Sequence, residues 1–152
     1  LTMSRTAITR GSLYNGSITI AIVHFVFSIF CVLLGIYIMK DYSWQGIEAC
    51  LFLLFSVVGI AASVCMIAAL FGRSSVLALV ALILAFLEAI GFIVLFGLYF
   101  FDVLTKSKAL VVGDQNFLMS INALQIFLSL YFTFAYSRSF RFLFPVQEHN
   151  QA

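Results

Sequence analysis

Glu88 is the residue of this chain most in need of a chemical explanation. It stands in the stretch ALILAFLEAIGF, within an apolar run over residues 76–101. An ionised carboxylate at the centre of a membrane-spanning helix costs at least about 2.5–3.5 kcal/mol, so it needs a partner or a proton. Counting inward from Ile18, Ile47, Val76 and Phe117 at a rise of about 1.5 Å per residue puts Glu88 about 18 Å from one membrane face. Gln125 falls at about the same height, and Ser28 and Ser56 fall within about 3 Å of it. The expected intramembrane polar cluster is therefore Glu88, Gln125, Ser56 and Ser28, one from each apolar run. Burial disfavours the charged carboxylate, and no lysine or arginine lies at this depth. The leading expectation is a neutral Glu88 that faces the interior and donates a hydrogen bond to Gln125 or Ser56. Two readings stay beside it: a Glu88 facing lipid or a partner's basic group, and a site for a transported ion.

His24 and Asn122 form a second candidate polar site. The same count puts His24 about 9 Å below Glu88 along the axis, too far for a direct bond. His24 is then expected to act as an interfacial or interhelical residue, with a titrating relay as the alternative. Asn122 is expected to hold two helices together. Gly59, Ser63 and Gly91 are candidates for a helix-packing face, because Gly-x-x-x-Ser spacing lets backbones approach closely. That face serves either the bundle itself or a docking protein.

Other chemistry is not expected. The chain shows no paired carboxylates, serine–histidine–acid set, phosphate loop or zinc-like cysteine spacing, so no catalytic residue, metal or cofactor is assigned. A net charge of +2 in 152 residues leaves no footprint for nucleic acid. Cys31, Cys50 and Cys65 read as small apolar side chains, with a Cys31–Cys50 bridge as the alternative. A signal peptide is not expected, since no basic segment, short apolar run and small-residue cleavage site occur together.

The elements that must carry these residues follow from composition and hydropathy. Hydrophobic residues make up 64% of the chain and charged residues 9%, against about 25% charged in a soluble domain. Four continuous apolar runs, at residues 18–39, 47–71, 76–101 and 117–136, are each long enough to cross a hydrocarbon core about 30 Å thick as a helix. Short links between them predict an all-α, antiparallel up-down four-helix bundle, a single membrane domain over residues 1–152. Arg5, Arg10, Arg73, Arg138 and Arg141 fall on one side, with Lys40, Lys106 and Lys108 on the other. The positive-inside rule then puts both termini in the cytoplasm. Tyr37, Tyr42 and Trp44 outside, and Tyr14 and Tyr136 inside, suit interfacial belts. Asn15-Gly16-Ser17 matches a glycosylation sequon, but it would be cytoplasmic. Asn15 or Ser17 is expected instead to cap the first helix. Most of the 18 phenylalanines must point outward, toward membrane lipids or a partner.

The entry TRGSLYNGSITIAIVHFVFSIF and the tail LSLYFTFAYSRSFRFL resemble those of the lysosome-associated four-pass transmembrane family and its invertebrate tetraspan relatives. The chain departs from vertebrate members in its short first loop and in having no proline-tyrosine motif in its tail. The resemblance implies a non-enzymatic protein that accompanies or sorts other membrane proteins. Together with the residue-level reading, the expected function is a four-pass accessory protein. It would bind other integral membrane proteins in a hetero- or homo-oligomeric complex, as an auxiliary subunit or trafficking companion. The alternative is a small transporter or proton-linked channel using the polar set around Glu88. The membrane, plasma or endosomal-lysosomal, stays open.

Overall fold

The computed structural model describes residues 2–41, 47–105 and 112–144. They form four helices: α1 (Thr2–Asp41), α2 (Ile47–Gly72), α3 (Ser75–Thr105) and α4 (Val112–Leu143). Each contains a stretch long and apolar enough to cross a membrane: Gly11–Tyr37, Cys50–Gly72, Ser75–Leu98 and Met119–Leu143. The protein is an all-α integral membrane protein, because a helix satisfies its own backbone where lipid offers no hydrogen bonds.

The helices pack in a ring. Sequential neighbours adhere along α1/α2, α2/α3 and α3/α4, and a sparser α1/α4 seam closes the ring. This leaves α1 and α3 diagonally opposite. The interior is built from small and polar residues. Ala21, Ala62, Ala69, Ala78, Ala81, Ala85 and Ala89 are all buried. Bulky side chains such as Phe30, Phe86, Phe127 and Phe134 point outward, and among the described phenylalanines only Phe52, Phe92 and Phe132 are buried. Lipid tails accept large apolar groups without penalty, so helix association is left to close packing and interior polar contacts.

Two expectations are corrected. α1 runs unbroken from Thr2, so Asn15 and Ser17 lie inside it and cap nothing. Ser17 is buried and shares a 2.6 Å hydrogen bond with Ser139 of α4. Tyr136 does not sit in an interfacial belt but is 1% exposed in the core. Cys31, Cys50 and Cys65 are free thiols, so the alternative of a Cys31–Cys50 bridge is not realised. The helices also extend past the apolar runs at several ends, since hydropathy marks where lipid is and not where helical hydrogen bonding stops. Trp44, Tyr42, Lys106 and Lys108 lie outside the described residues.

The link between α2 and α3 is one tight turn. Arg73 adopts a left-handed conformation, with φ 54°. The Ser74 amide donates back to the Ala69 carbonyl at 3.1 Å, the six-to-one closure that terminates a helix. The Ser74 hydroxyl then accepts from the Leu77 amide at 3.3 Å and starts α3.

Candidate functional site

The centre of the bundle is a hydrogen-bonded chain of three side chains from three helices. The Nε2 of His24, on α1, lies 2.8 Å from Oε2 of Glu88, on α3. The Nδ1 of His24 lies 2.7 Å from the hydroxyl of Tyr136, on α4. His24 is 0% and Glu88 1% exposed. Phe132 stacks on the imidazole with ring centroids 4.2 Å apart, which fixes the ring plane so that both nitrogens meet their partners.

This pairing corrects the expectation that His24 and Glu88 are too far apart to bond. The depth count measured each helix from its own apolar boundary and so assumed a register that the packing does not keep, since the bonded pair puts His24 and Glu88 at one level. The partner of Glu88 is thus the histidine across the ring, not Gln125 or Ser56.

Gly59 of α2 makes the pairing sterically feasible. It lies at the level of the pair. A Cβ placed there would come within 2.5 Å of Glu88 Oε1 and 2.6 Å of Ser28 Oγ. The missing side chain is the space in which the carboxylate sits, so Ser28 and Glu88 share one small compartment. Gly91 serves packing in a similar way, with the Phe55 ring against its backbone. Ser63 is buried and donates to the Ile60 carbonyl at 2.8 Å within its own helix. Ser56 likewise donates to Phe52 at 2.7 Å. Gly59, Ser63 and Gly91 therefore face the bundle interior.

The remaining polar groups continue outward from the pair. Gln125 donates through Nε2 to Cys31 Sγ at 3.3 Å. Asn122 donates through Nδ2 to the Phe92 carbonyl at 3.2 Å, joining α4 to α3 as expected of an interhelical residue. Among the described residues, four buried side-chain oxygens have no hydrogen-bond partner: Ser28 Oγ, Asn122 Oδ1, Gln125 Oε1 and Ser129 Oγ. All four belong to α1 or α4. Two helical stripes result. On α1 it comprises Ser17, His24, Ser28 and Cys31, and on α4 it comprises Asn122, Gln125, Ser129, Tyr136 and Ser139. Each of these residues is buried. The small Ala21 fills the position between Ser17 and His24. The sparsest seam of the bundle is thus also its most polar. The sequence holds this signal as spacings of three, four and seven on α1 and α4, which the choice of one residue per helix overlooked.

Comparison with protein-family models, with characterised proteins and with solved structures finds no match for this chain.

Proposed function

We propose that this chain is a non-enzymatic membrane accessory protein that binds a transmembrane helix of another protein, as an auxiliary subunit or trafficking companion. The observation that carries the reading is Tyr131. It is 54% exposed on the outer face of α4, 12 residues from either end of the Met119–Leu143 span. Seven residues, about 10 Å, separate it from Arg138, and helical side chains lean toward the N-terminus, away from that basic end, so the phenol stays within the apolar layer. Its ring meets Phe132, but its hydroxyl makes no hydrogen bond among the described residues. Acyl chains cannot satisfy that hydroxyl, whereas a helix bearing a polar side chain can.

Phe127 and Phe134 flank Tyr131 on the same face, 74% and 68% exposed, and supply a broad apolar contact around the polar point. Aromatic residues with one polar tip are well suited to such an interface. The likeness of the entry and tail to the lysosome-associated four-pass family is in keeping with this reading. The test is purification in mild detergent followed by mass measurement. The expected result is a stoichiometric complex heavier than the protomer that weakens in Tyr131→Phe. A lone protomer, active in moving a solute across liposomes, would overturn the assignment.

A further inference from the structure

We propose that the end of α4 carrying Arg138 and Arg141 holds the headgroup of an anionic phospholipid, with the two guanidiniums as its phosphate clamp. The inference uses only that end of the helix, not the mid-span contact at Tyr131, so it is independent of the accessory role.

Charge is divided unevenly between the two ends of the bundle. The end bearing the termini and the α2/α3 turn has Arg5, Arg10, Arg73, Arg138 and Arg141 against one carboxylate, Glu148. The opposite end has Lys40, Lys106 and Lys108 against Asp41, Glu48, Asp102 and Asp114. The remaining carboxylate, Glu88, is buried and bonded to His24. Among the described residues no carboxylate pairs with Arg73, Arg138 or Arg141, and all three arginines are exposed.

The depth of these arginines follows from the register of α1 and α4. Ser17 bonds Ser139, His24 stacks on Phe132, and Cys31 accepts from Gln125, each step being seven residues along α1 and seven back along α4. The two helices therefore run antiparallel in step. Arg138 and Arg141 are level with Ile18 and Asn15, where α1 passes from its polar entry to its apolar run. Arg73 belongs to the same end, three residues past Leu70, whose carbonyl accepts from the Tyr14 hydroxyl. A guanidinium at this boundary is costly among acyl chains without an anion, and its long stem lets the head reach the phosphate layer.

On α4 the exposed residues Phe134, Arg138 and Arg141 recur at spacings of four and three, so they form one stripe of the outer face. The stripe is apolar toward the midplane and doubly basic at the boundary, the same order as acyl chain and phosphate in a lipid. Residues three apart on a helix are neighbours, so both side chains can meet one phosphate. A planar guanidinium donates two parallel hydrogen bonds to phosphate oxygens, whereas a lysine ammonium acts as a point charge. Phosphatidylcholine brings its own cation to its phosphate. Phosphatidylglycerol brings none, which leaves the phosphate charge to the arginines.

The test is electron spin resonance of the purified full chain in phosphatidylcholine vesicles, with a trace of spin-labelled phosphatidylglycerol or, in parallel, of spin-labelled phosphatidylcholine. The immobilised share of each label measures its affinity for the protein surface. Basic residues near a membrane surface favour anionic lipid by up to about fivefold each, so the wild type is expected to prefer phosphatidylglycerol severalfold. Arg138→Gln with Arg141→Gln should lose most of that preference and melt with the wild type, because both side chains are exposed. Arg138→Lys with Arg141→Lys keeps the charge and should retain only part of it. Lys106→Gln with Lys108→Gln, at the opposite end, should leave it intact. Equal wild-type affinity for the two lipids refutes the proposal and leaves the arginines to an acidic segment of a partner protein. A preference undiminished in the folded glutamine variant, or lost in the Lys106 and Lys108 variant, also refutes it. Should the glutamine variant fail to fold, the lysine variant decides, and a preference equal to that of the wild type refutes the clamp.

Discussion

At the scale of single residues, His24 and Glu88 stand or fall together. Removing one member of a buried pair strands the other, at a cost of about 3–5 kcal/mol. His24→Phe is therefore expected to destabilise the bundle by that order in thermal melts in detergent. Adding Glu88→Met should recover most of the loss, because replacing both members with apolar groups of similar volume is often neutral or better. A double variant no more stable than His24→Phe alone would show that the pair is not the origin of the loss. Gly59 is the steric counterpart. Gly59→Ala should cost about 1–3 kcal/mol, because the new methyl would press on Glu88 Oε1 and Ser28 Oγ. The carboxylate cannot swing aside without losing its 2.8 Å bond to His24. A Gly59→Ala protein that melts with the wild type would show that the compartment is looser than these distances.

At the scale of the element, the turn between α2 and α3 and the outer face of α4 make separate predictions. Arg73 is left-handed, which costs a non-glycine residue about 1–2 kcal/mol. Arg73→Gly should relieve that strain and raise the melting temperature. Because Arg73 is also one of the basic residues expected to hold the near side in the cytoplasm, the same variant should weaken the orientation bias. A fall in melting temperature would show that the arginine side chain supports the turn. On α4, Tyr131→Phe removes one exposed hydroxyl and should alter the stability of the isolated bundle by no more than about 0.5 kcal/mol. Its effect should appear only in the mass of the complex. A marked loss of stability in the isolated chain would assign the hydroxyl an internal partner and remove the basis of the accessory reading.

At the scale of the whole molecule, the asymmetry of basic residues sets which way the bundle is expected to face. The arginine distribution predicts cytoplasmic termini. Protease added to sealed cells should then spare tags at either end and cut a tag placed within residues 106–111. Cleavage of a terminal tag would reverse the orientation. It would also place Asn15-Gly16-Ser17 on the outer side, where the buried Ser17, bonded to Ser139, would still keep this segment within a helix.

The architecture was legible in the sequence because membrane crossing is a local property. A continuous apolar run of sufficient length has to be a helix wherever it packs, and short links leave few ways to arrange four of them. The inward placement of Ser28, Ser56, Glu88 and Gln125 followed from the same constraint, since lipid gives polar groups nowhere else to go. The pairing within that interior was not legible. Whether His24 meets Glu88 depends on how far α1 slides along α3, and a count from the apolar boundary at Ile18 set His24 about 9 Å too low. No local signal sets that register. It is decided by contacts between distant parts of the chain: Ser17 with Ser139, Tyr14 with the Leu70 carbonyl at 3.1 Å, and the glycine at position 59 that makes room for the carboxylate. Composition determined that the polar groups lie inside, and only the tertiary structure decided which of them touch, because helix register is a collective result of packing.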